Sequence, residues 1–317
     1  MDDLERRRQN QATYVSAGML AQILEHALPK HVLKSFELLT GGASNLNYVL
    51  RFDGTPAPAV LRVYTRDRSV CQKEIEILNF VSQQLPVPDL IYADPKGEDN
   101  VGPYVLYRYA EGITFQELKS QGNFQDIAEA AYAIGVALAR LQTISLGRSV
   151  SAGLASCQEI TDECLSPAIL EHRLGGAKRD RLREFVFGWL PQIRHLYQER
   201  ALVHGDFNNR NTLVKREGHQ WVVTGILDWE RAFFGSPLWD AARFICFERR
   251  ARPCREPHFS RGFCENGGSL PKDWSACSRA LNAFSATESL SRPELPERFI
   301  PELRDLIVAI LDGRDVS

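Results

Sequence analysis

The fold is decided by one stretch of the chain, Leu202-Val203-His204-Gly205-Asp206-Phe207-Asn208-Asn209-Arg210-Asn211-Thr212-Leu213-Val214. A short polar turn follows, and then a second segment, Trp221-Val222-Val223-Thr224-Gly225-Ile226-Leu227-Asp228-Trp229-Glu230. The apolar pairs at the two ends of the first stretch predict short buried strands. The polar loop between them is too rich in Asn and Gly for the interior of a helix. The second segment is typical of a strand. Three polar side chains are therefore brought out of an apolar scaffold: Asp206, Asn211 and Asp228.

These three side chains suit phosphoryl transfer from a nucleotide. Mg²⁺ prefers oxygen ligands, and proteins hold it with one or two carboxylates together with substrate phosphates. We expect the Asp228 carboxylate and the Asn211 amide oxygen to hold the metal, while Asp206 accepts a proton from the hydroxyl group of the acceptor. Such a transfer needs positioning and charge neutralisation more than covalent chemistry from the protein. The alternative interpretation is a polar hairpin that contains one or two buried aspartates.

The spacing of these residues resembles that of a known family. Protein kinases have His-Arg-Asp, an Asn five residues after the Asp, and then Asp-Phe-Gly. Here the corresponding residues are His204-Gly205-Asp206, Asn211 and Asp228-Trp229-Glu230. The Gly after the His, and Asp-Trp-Glu in place of Asp-Phe-Gly, resemble the aminoglycoside phosphotransferase-like family of small-molecule kinases, which includes enzymes of the choline-kinase and homoserine-kinase types.

The resemblance, which spans roughly residues 36 to 245, implies an α+β, bilobal, protein-kinase-like fold. Such a fold has a small N-terminal antiparallel β lobe and a larger, mainly helical C-terminal lobe. We expect residues 1–108 to form a nucleotide-binding lobe with a leading helix, and residues 109–317 to form the catalytic and acceptor-binding lobe. The boundary corresponds to the kinase hinge, where Tyr107 and Tyr109 are candidates for binding the base. Because backbone groups recognise the base there, the side chains do not distinguish ATP from GTP.

A glycine-containing turn is the candidate phosphate loop. Gly41-Gly42-Ala43-Ser44-Asn45 lies between two strand-like runs, and glycines allow backbone N–H groups to approach an anion closely. The family places its phosphate loop at this point, so the resemblance makes Ser44 and Asn45 the candidate contacts. An ordinary hairpin turn is the alternative.

Arg62 lies where protein kinases have a strand Lys that contacts the nucleotide phosphates. Arg is always charged and can bind phosphate with two donors, although its geometry differs from that of Lys. The following helix offers Glu74 and Glu76, which point to different faces, so at most one can turn toward Arg62. The register of the family favours Glu74 as the partner of Arg62. The alternative is a strand Arg that faces solvent.

Other residues near the motif have structural or open roles. His204 is expected to anchor the catalytic loop, and Asp240 is expected to cap a helix that begins near Ala241. Residues 249–275 combine Arg, Pro and Gly, which predicts a mobile loop with a lid as one use. The roles of Arg210 and Glu230 stay open.

Composition excludes several classes of function. The chain has 317 residues, 44% hydrophobic and 25% charged, and a net charge of -2, which gives no general attraction to nucleic acid or to anionic membranes. No stretch approaches the roughly 18 apolar residues of a membrane span. Seven cysteines, none in C-x-x-C spacing, predict reduced thiols and a cytoplasmic location. The sequence does not indicate an oligomeric state.

The sequence therefore predicts an enzyme that uses Mg²⁺ and ATP (or GTP) to phosphorylate a hydroxyl group of a small molecule. The acceptor is an aminoglycoside-like antibiotic, an amino alcohol or a sugar. One alternative is a nucleotide-binding pseudokinase that regulates a partner, which only Arg62 suggests. A protein kinase is the other, and Gly205, Asp228-Trp229-Glu230 and the absence of an Ala-Pro-Glu segment disfavour it.

Overall fold

The structure is a computed structural model that describes residues 15–39, 45–54, 57–65, 67–97, 102–144, 168–196, 201–246, 255–293 and 295–313. The chain divides into two compact units. The first reaches to Gln83 and includes Val87–Ala110, and the second contains Gln84–Pro86 and the chain from Glu111 onward. The first unit is built on an antiparallel sheet and the second is mainly helical, so the predicted α+β class is confirmed.

Among its described residues, the first unit has five strands and two helices, which are α1 (Ala17–Ala27), β1 (Leu33–Leu38), β2 (Leu46–Phe52), β3 (Ala59–Val63), α2 (Val70–Val81), β4 (Leu90–Asp94) and β5 (Tyr104–Arg108). The strands form one sheet in the order β1-β2-β3-β5-β4, and neighbouring strands are antiparallel. Alternate residues of the central strands, among them Leu50, Leu61 and Leu106, form a core with apolar residues of α1. Because strand side chains alternate between faces, Arg62 lies on the opposite face from this core.

The second unit contains five short strands and eight helices within the described residues. They are β6 (Ile113–Thr114), α3 (Phe115–Gln121), α4 (Phe124–Gln142), α5 (Ala168–Leu174), α6 (Gly176–Leu196), β7 (Ala201–Val203), β8 (Thr212–Glu217), β9 (Gln220–Ile226), β10 (Phe233–Gly235), α7 (Leu238–Ile245), α8 (Glu256–Glu265), α9 (Trp274–Ser291) and α10 (Ile300–Leu311). Two 3-10 turns, Trp229–Arg231 and Glu297–Phe299, complete it. The strands form two small antiparallel sheets, β6-β8-β9 and β10-β7.

The segment 249–275 was predicted to be a mobile loop; residues 249–254 lie outside the described residues, and the rest of the segment differs from the prediction. Part of it is the helix α8, not a loop, and its Phe259 and Phe263 are buried. Pro257 lies in the first turn, where proline favours helix initiation, and Gly262 lies inside the helix at a close contact with α4. Proline and glycine thus serve helix initiation and close packing here, and they do not mark a loop.

None of the helices in the described ranges is both long enough and apolar enough to cross a bilayer.

Candidate active site

The candidate catalytic loop connects β7 to β8 in the second unit. β7 pairs with β10, and β8 pairs with β9, so both ends of the loop are fixed in sheets. Asp240 secures the start of the loop, because its two carboxylate oxygens accept the N–H groups of His204 at 2.6 Å and of Gly205 at 2.9 Å. The prediction that Asp240 caps its own helix was wrong. α7 begins at Leu238 with Pro237 as its N-cap residue, and Asp240 lies in the first turn.

Gly205 occupies a position where a side chain does not fit. Its φ is 80°, in the left-handed region that favours glycine, and a Cβ atom here would meet the backbone carbonyl oxygen of Arg231. The glycine that distinguishes His-Gly-Asp from the His-Arg-Asp of protein kinases therefore has a local steric cause. The 3-10 turn after β9 packs directly against the catalytic loop.

His204 anchors the loop from within. Its Nε2 donates to Leu227 O at 2.9 Å, and its Nδ1 accepts the N–H of Asp206 at 3.2 Å. Burial lowers the pKa of His204, although Asp206 and Asp228 act in the opposite direction. A neutral imidazole with both nitrogens engaged links the loop to the end of β9 and is not set up to exchange protons.

Asp206 presents an ionised carboxylate held by two donors. Asn211 Nδ2 donates to Oδ2 at 3.0 Å, and Arg243 Nη2 donates to Oδ1 at 3.2 Å. Burial by itself would raise the pKa of Asp206, but the Arg243 and Arg231 guanidinium groups outweigh burial and hold the pKa below its ordinary value. Arg243 was not predicted, since no motif distinguishes it from other helical arginines.

Asn211 immediately precedes β8, and Asp228 follows the end of β9, the strand that pairs with β8. Thr212 pairs with Ile226, and one residue further out Leu227 N donates to Asn211 O at 2.8 Å. Asn211 Nδ2 donates to Asp206 O at 2.9 Å as well as to the Asp206 carboxylate. Both acceptors are oxygens, which identifies the donating nitrogen and leaves the amide oxygen as the possible ligand. This oxygen and the Asp228 carboxylate are oxygen donors of the kind that Mg²⁺ prefers.

Arg62 and Glu74 form a buried ion pair in the first unit. Arg62 Nε lies 3.5 Å from Glu74 Oε2, and their side chains are 8% and 2% exposed. Glu74, and not the exposed Glu76, faces Arg62. Tyr64, which the sequence analysis missed, donates its hydroxyl hydrogen to the same Glu74 oxygen at 2.6 Å. Desolvation by burial, followed by the Glu74 charge, raises the Tyr64 pKa, so the hydroxyl stays protonated as a donor.

The remaining candidates of the first unit are placed as follows. Asn45 is half-buried just before β2, and Ser44 lies outside the described residues. Tyr107 is buried in β5, and its hydroxyl oxygen is 3.5 Å from that of Tyr64. Tyr109 is exposed, and its N–H donates to Pro58 O at 3.0 Å, so its carbonyl group is the backbone group it could offer a base. In the second unit, Arg210 Nε donates to Gln116 Oε1 on α3 at 2.8 Å.

Comparison with known families identifies the family of the chain. A model of the phosphotransferase enzyme family (APH) matches residues 35–277, more than half of the chain. The chain belongs to the phosphotransferase enzyme family. The predicted family and the predicted class of enzyme, a small-molecule phosphotransferase, are thereby confirmed. No curated protein matches the chain by sequence.

Solved structures of aminoglycoside phosphotransferases share the fold of this APH-family chain. The crystal structure of APH(4)-Ia is 19% identical, with 94% of this chain and 99% of that chain covered and a TM-score of 0.70. The ternary complex of a thermostable mutant of APH(4)-Ia with AMP-PNP and hygromycin B is 18% identical, covers 94% and 99%, and has a TM-score of 0.69. The GDP and kanamycin complex of APH(2'')-IIia is 18% identical, covers 93% and 98%, and has a TM-score of 0.66. The predicted kinase-like fold is confirmed.

Proposed function

We propose that the chain transfers the γ-phosphoryl group of Mg-ATP or Mg-GTP to a hydroxyl group of a small molecule. The observation that carries this proposal is the arrangement in the second unit, where an ionised Asp206 accepts a hydrogen bond from Asn211 Nδ2. The backbone carbonyl of Asn211 in turn accepts the N–H of Leu227, the residue before Asp228. Phosphoryl transfer needs a base for the acceptor and oxygen ligands for a metal. In this proposal, Asp206 is the base, and Asn211 and Asp228 are the ligands.

Asp206 orients the acceptor and receives its proton. The hydroxyl oxygen of the acceptor forms the new bond to the γ-phosphorus, and the bond from that phosphorus to the β,γ-bridging oxygen breaks, so the nucleoside diphosphate leaves. The hydroxyl proton passes to the Asp206 carboxylate. Because the pKa of Asp206 is low, it is a weak base, which fits a loose transition state in which the proton moves late.

The other candidate residues bind and neutralise the phosphates. Asn211 and Asp228 would hold Mg²⁺, which when bound neutralises charge on the phosphate oxygens. Arg62, restrained by Glu74, would contact the phosphates of the nucleotide, and Ser44 and Asn45 belong to the proposed phosphate loop. Backbone groups near Tyr107 and Tyr109 would bind the base. In this proposal the metal ligands never exchange protons with the acceptor.

The proposed acceptor is an aminoglycoside-like antibiotic, an amino alcohol or a sugar. Structures with the same fold contain hygromycin B or kanamycin together with AMP-PNP or GDP, which supports a hydroxylated small molecule and a purine nucleotide. The acceptor for this chain is to be found by measuring nucleoside diphosphate release over a panel of these three classes of compound, each with ATP and with GTP.

The replacement Asp206→Asn tests the proposal. We expect kcat to fall by about a hundredfold to ten-thousandfold, because the amide cannot take the proton, while the nucleotide binds as before. Asp305→Asn makes the same chemical change at an exposed position on α10 and should leave kcat unchanged. Turnover by Asp206→Asn at the wild-type rate, or turnover of no compound in the panel with either nucleotide, would refute the proposed function.

A further inference from the structure

Arg243 contacts the carboxylate that is the candidate base. Arg243 Nη2 lies 3.2 Å from Asp206 Oδ1, whereas Asn211 Nδ2 lies 3.0 Å from Asp206 Oδ2. Rotation of a carboxylate about its last side-chain bond is broad, so a single donor leaves the carboxylate plane loosely defined. Two donors on the two different oxygens define that plane.

The helix that carries Arg243 also holds the backbone of the same loop. Asp240, three residues earlier on α7, accepts two consecutive N–H groups of the loop. Residues three apart lie on the same face of a helix. The helix is itself tied to α9, because Asn282 Nδ2 donates to Ala242 O at 3.0 Å. One anchored helix face therefore holds both the backbone and the reactive side chain of the loop.

Arg231 does not duplicate this contact. The positive charge of Arg231 lowers the pKa of Asp206. However, Arg231 Nη2 lies 3.3 Å from both carboxylate oxygens of Glu288 on α9. Within the described residues, Arg243 is the cation that forms an ion pair with Asp206.

We propose that Arg243 is a positioning residue for phosphoryl transfer, which holds the Asp206 carboxylate in the plane where its other lone pairs meet the acceptor hydroxyl. This inference rests on the function proposed above. Each carboxylate oxygen has two lone pairs, so one donor on each oxygen still leaves a position for the acceptor. Arg243 acts through Asp206 and not on the nucleotide, so its loss lowers kcat and leaves the KM for nucleotide unchanged.

The test compares Arg243→Gln and Arg243→Lys with Arg140→Gln, which alters an exposed arginine on α4 of the same unit. kcat and the KM for Mg-ATP are measured with the panel compound that gives the highest turnover. Arg243→Gln should lower kcat by about 10- to 100-fold, as a misplaced reacting group does, and change KM by less than about twofold. Arg243→Lys keeps one charged donor and should recover part of the loss. Arg140→Gln should behave as wild type.

A second background separates positioning from general damage to the fold. When Asp206→Asn is already present, adding Arg243→Gln should lower turnover no further, because the carboxylate that Arg243 positions is gone. Circular dichroism checks that each variant folds. If Arg243→Gln alone does not fold, kcat and KM are compared for Arg243→Lys and for the double variant.

The outcomes also separate this inference from the proposed function. An Asp206→Asn variant with wild-type turnover refutes the proposed function. If Asp206→Asn is inactive and Arg243→Gln retains wild-type kcat, the positioning role of Arg243 is refuted. It is likewise refuted if the KM for nucleotide rises as much as kcat falls, or if the loss persists in the Asp206→Asn background.

Discussion

The Tyr64 hydroxyl group donates to Glu74 Oε2, the same oxygen that lies beside Arg62 Nε. The guanidinium carbon of Arg62 lies 5.2 Å from the centre of the Tyr64 ring. Arg is planar and stacks on aromatic rings, whereas Lys is a compact point charge. One tyrosine therefore restrains both members of the ion pair, which is a local reason for an Arg at the position where protein kinases have Lys.

Replacing Tyr64 with Phe removes the hydroxyl group and keeps the ring. Glu74 then stays buried without the hydrogen bond from Tyr64, and we expect the free energy of unfolding to fall by about 1–3 kcal/mol. The KM for nucleotide should rise, because Arg62 loses a fixed partner. Chemical denaturation and nucleotide titration measure the two effects. Tyr132→Phe removes an exposed hydrogen bond from Tyr132 to Glu265 and should change neither the free energy of unfolding nor the KM for nucleotide. Equal losses of stability in the two variants would contradict the prediction.

At the scale of elements, α4 and α8 cross with glycines at the point of contact. A Cβ atom on Gly262 of α8 would meet Tyr132 O, and one on Gly135 of α4 would meet Phe259 O. Both obstacles are backbone atoms, which cannot rotate away as a side chain can. The two glycines therefore allow the helices to pack at backbone contact, with Phe259 and Phe263 buried beside them.

Alanine at Gly262 is expected to destabilise the protein by about 1–3 kcal/mol, because overpacking forces the helices apart. Helix propensity alone predicts the opposite sign, a gain of about 1 kcal/mol. Gly188→Ala provides the comparison, since Gly188 lies in helix α6 with open space around its Cα and should show that gain. The two free energies of unfolding are measured by urea titration, and a stabilising Gly262→Ala would show that the helices can separate without loss.

At the scale of the whole molecule, the proposed nucleotide-binding residues are divided between the two compact units. Arg62 and Glu74 belong to the first unit, and Asn211 and Asp228 belong to the second. Asp228 is, among the described residues, the only one other than glycine with a positive φ, at 68°. Asp and Asn tolerate this left-handed conformation better than other side chains, so Asn is the substitution that tests the carboxylate with the least backbone strain.

Asp228→Asn should remove the Mg²⁺-dependent part of nucleotide binding. In wild type, nucleotide at about 100 times its Kd is expected to add about 2.7 kcal/mol of stability to the folded chain. Thermal unfolding with ATP or GTP, each with and without Mg²⁺, measures this increment. We expect the metal to increase the stabilisation in wild type and in Asp305→Asn, but not in Asp228→Asn. An undiminished effect of Mg²⁺ in Asp228→Asn would exclude this carboxylate as a ligand.

The features that are encoded locally follow from the amino-acid sequence alone. The alternation of apolar residues predicted the strands that carry Arg62 and that flank the catalytic loop, because each strand needs one apolar face for the core. The spacing within a single loop and strand pair predicted one site that contains Asp206, Asn211 and Asp228. Helix periodicity allowed only one of Glu74 and Glu76 to face Arg62, and the register of the resembled family favoured Glu74. Each of these relations spans few residues or follows from a regular period.

The contacts between distant segments depend on the three-dimensional fold. Asp240 lies 36 residues from His204 in the chain, and Arg243 lies 37 residues from Asp206, so neither relation leaves a local pattern. The helix α8 was missed for the same reason. Gly262 is needed because α8 contacts the backbone of α4 at this point, and α4 lies more than a hundred residues earlier in the chain. The fold determines which side chains lie close enough to position a reactive group, because hydrogen bonds and close packing depend on distance in space and not on distance along the chain.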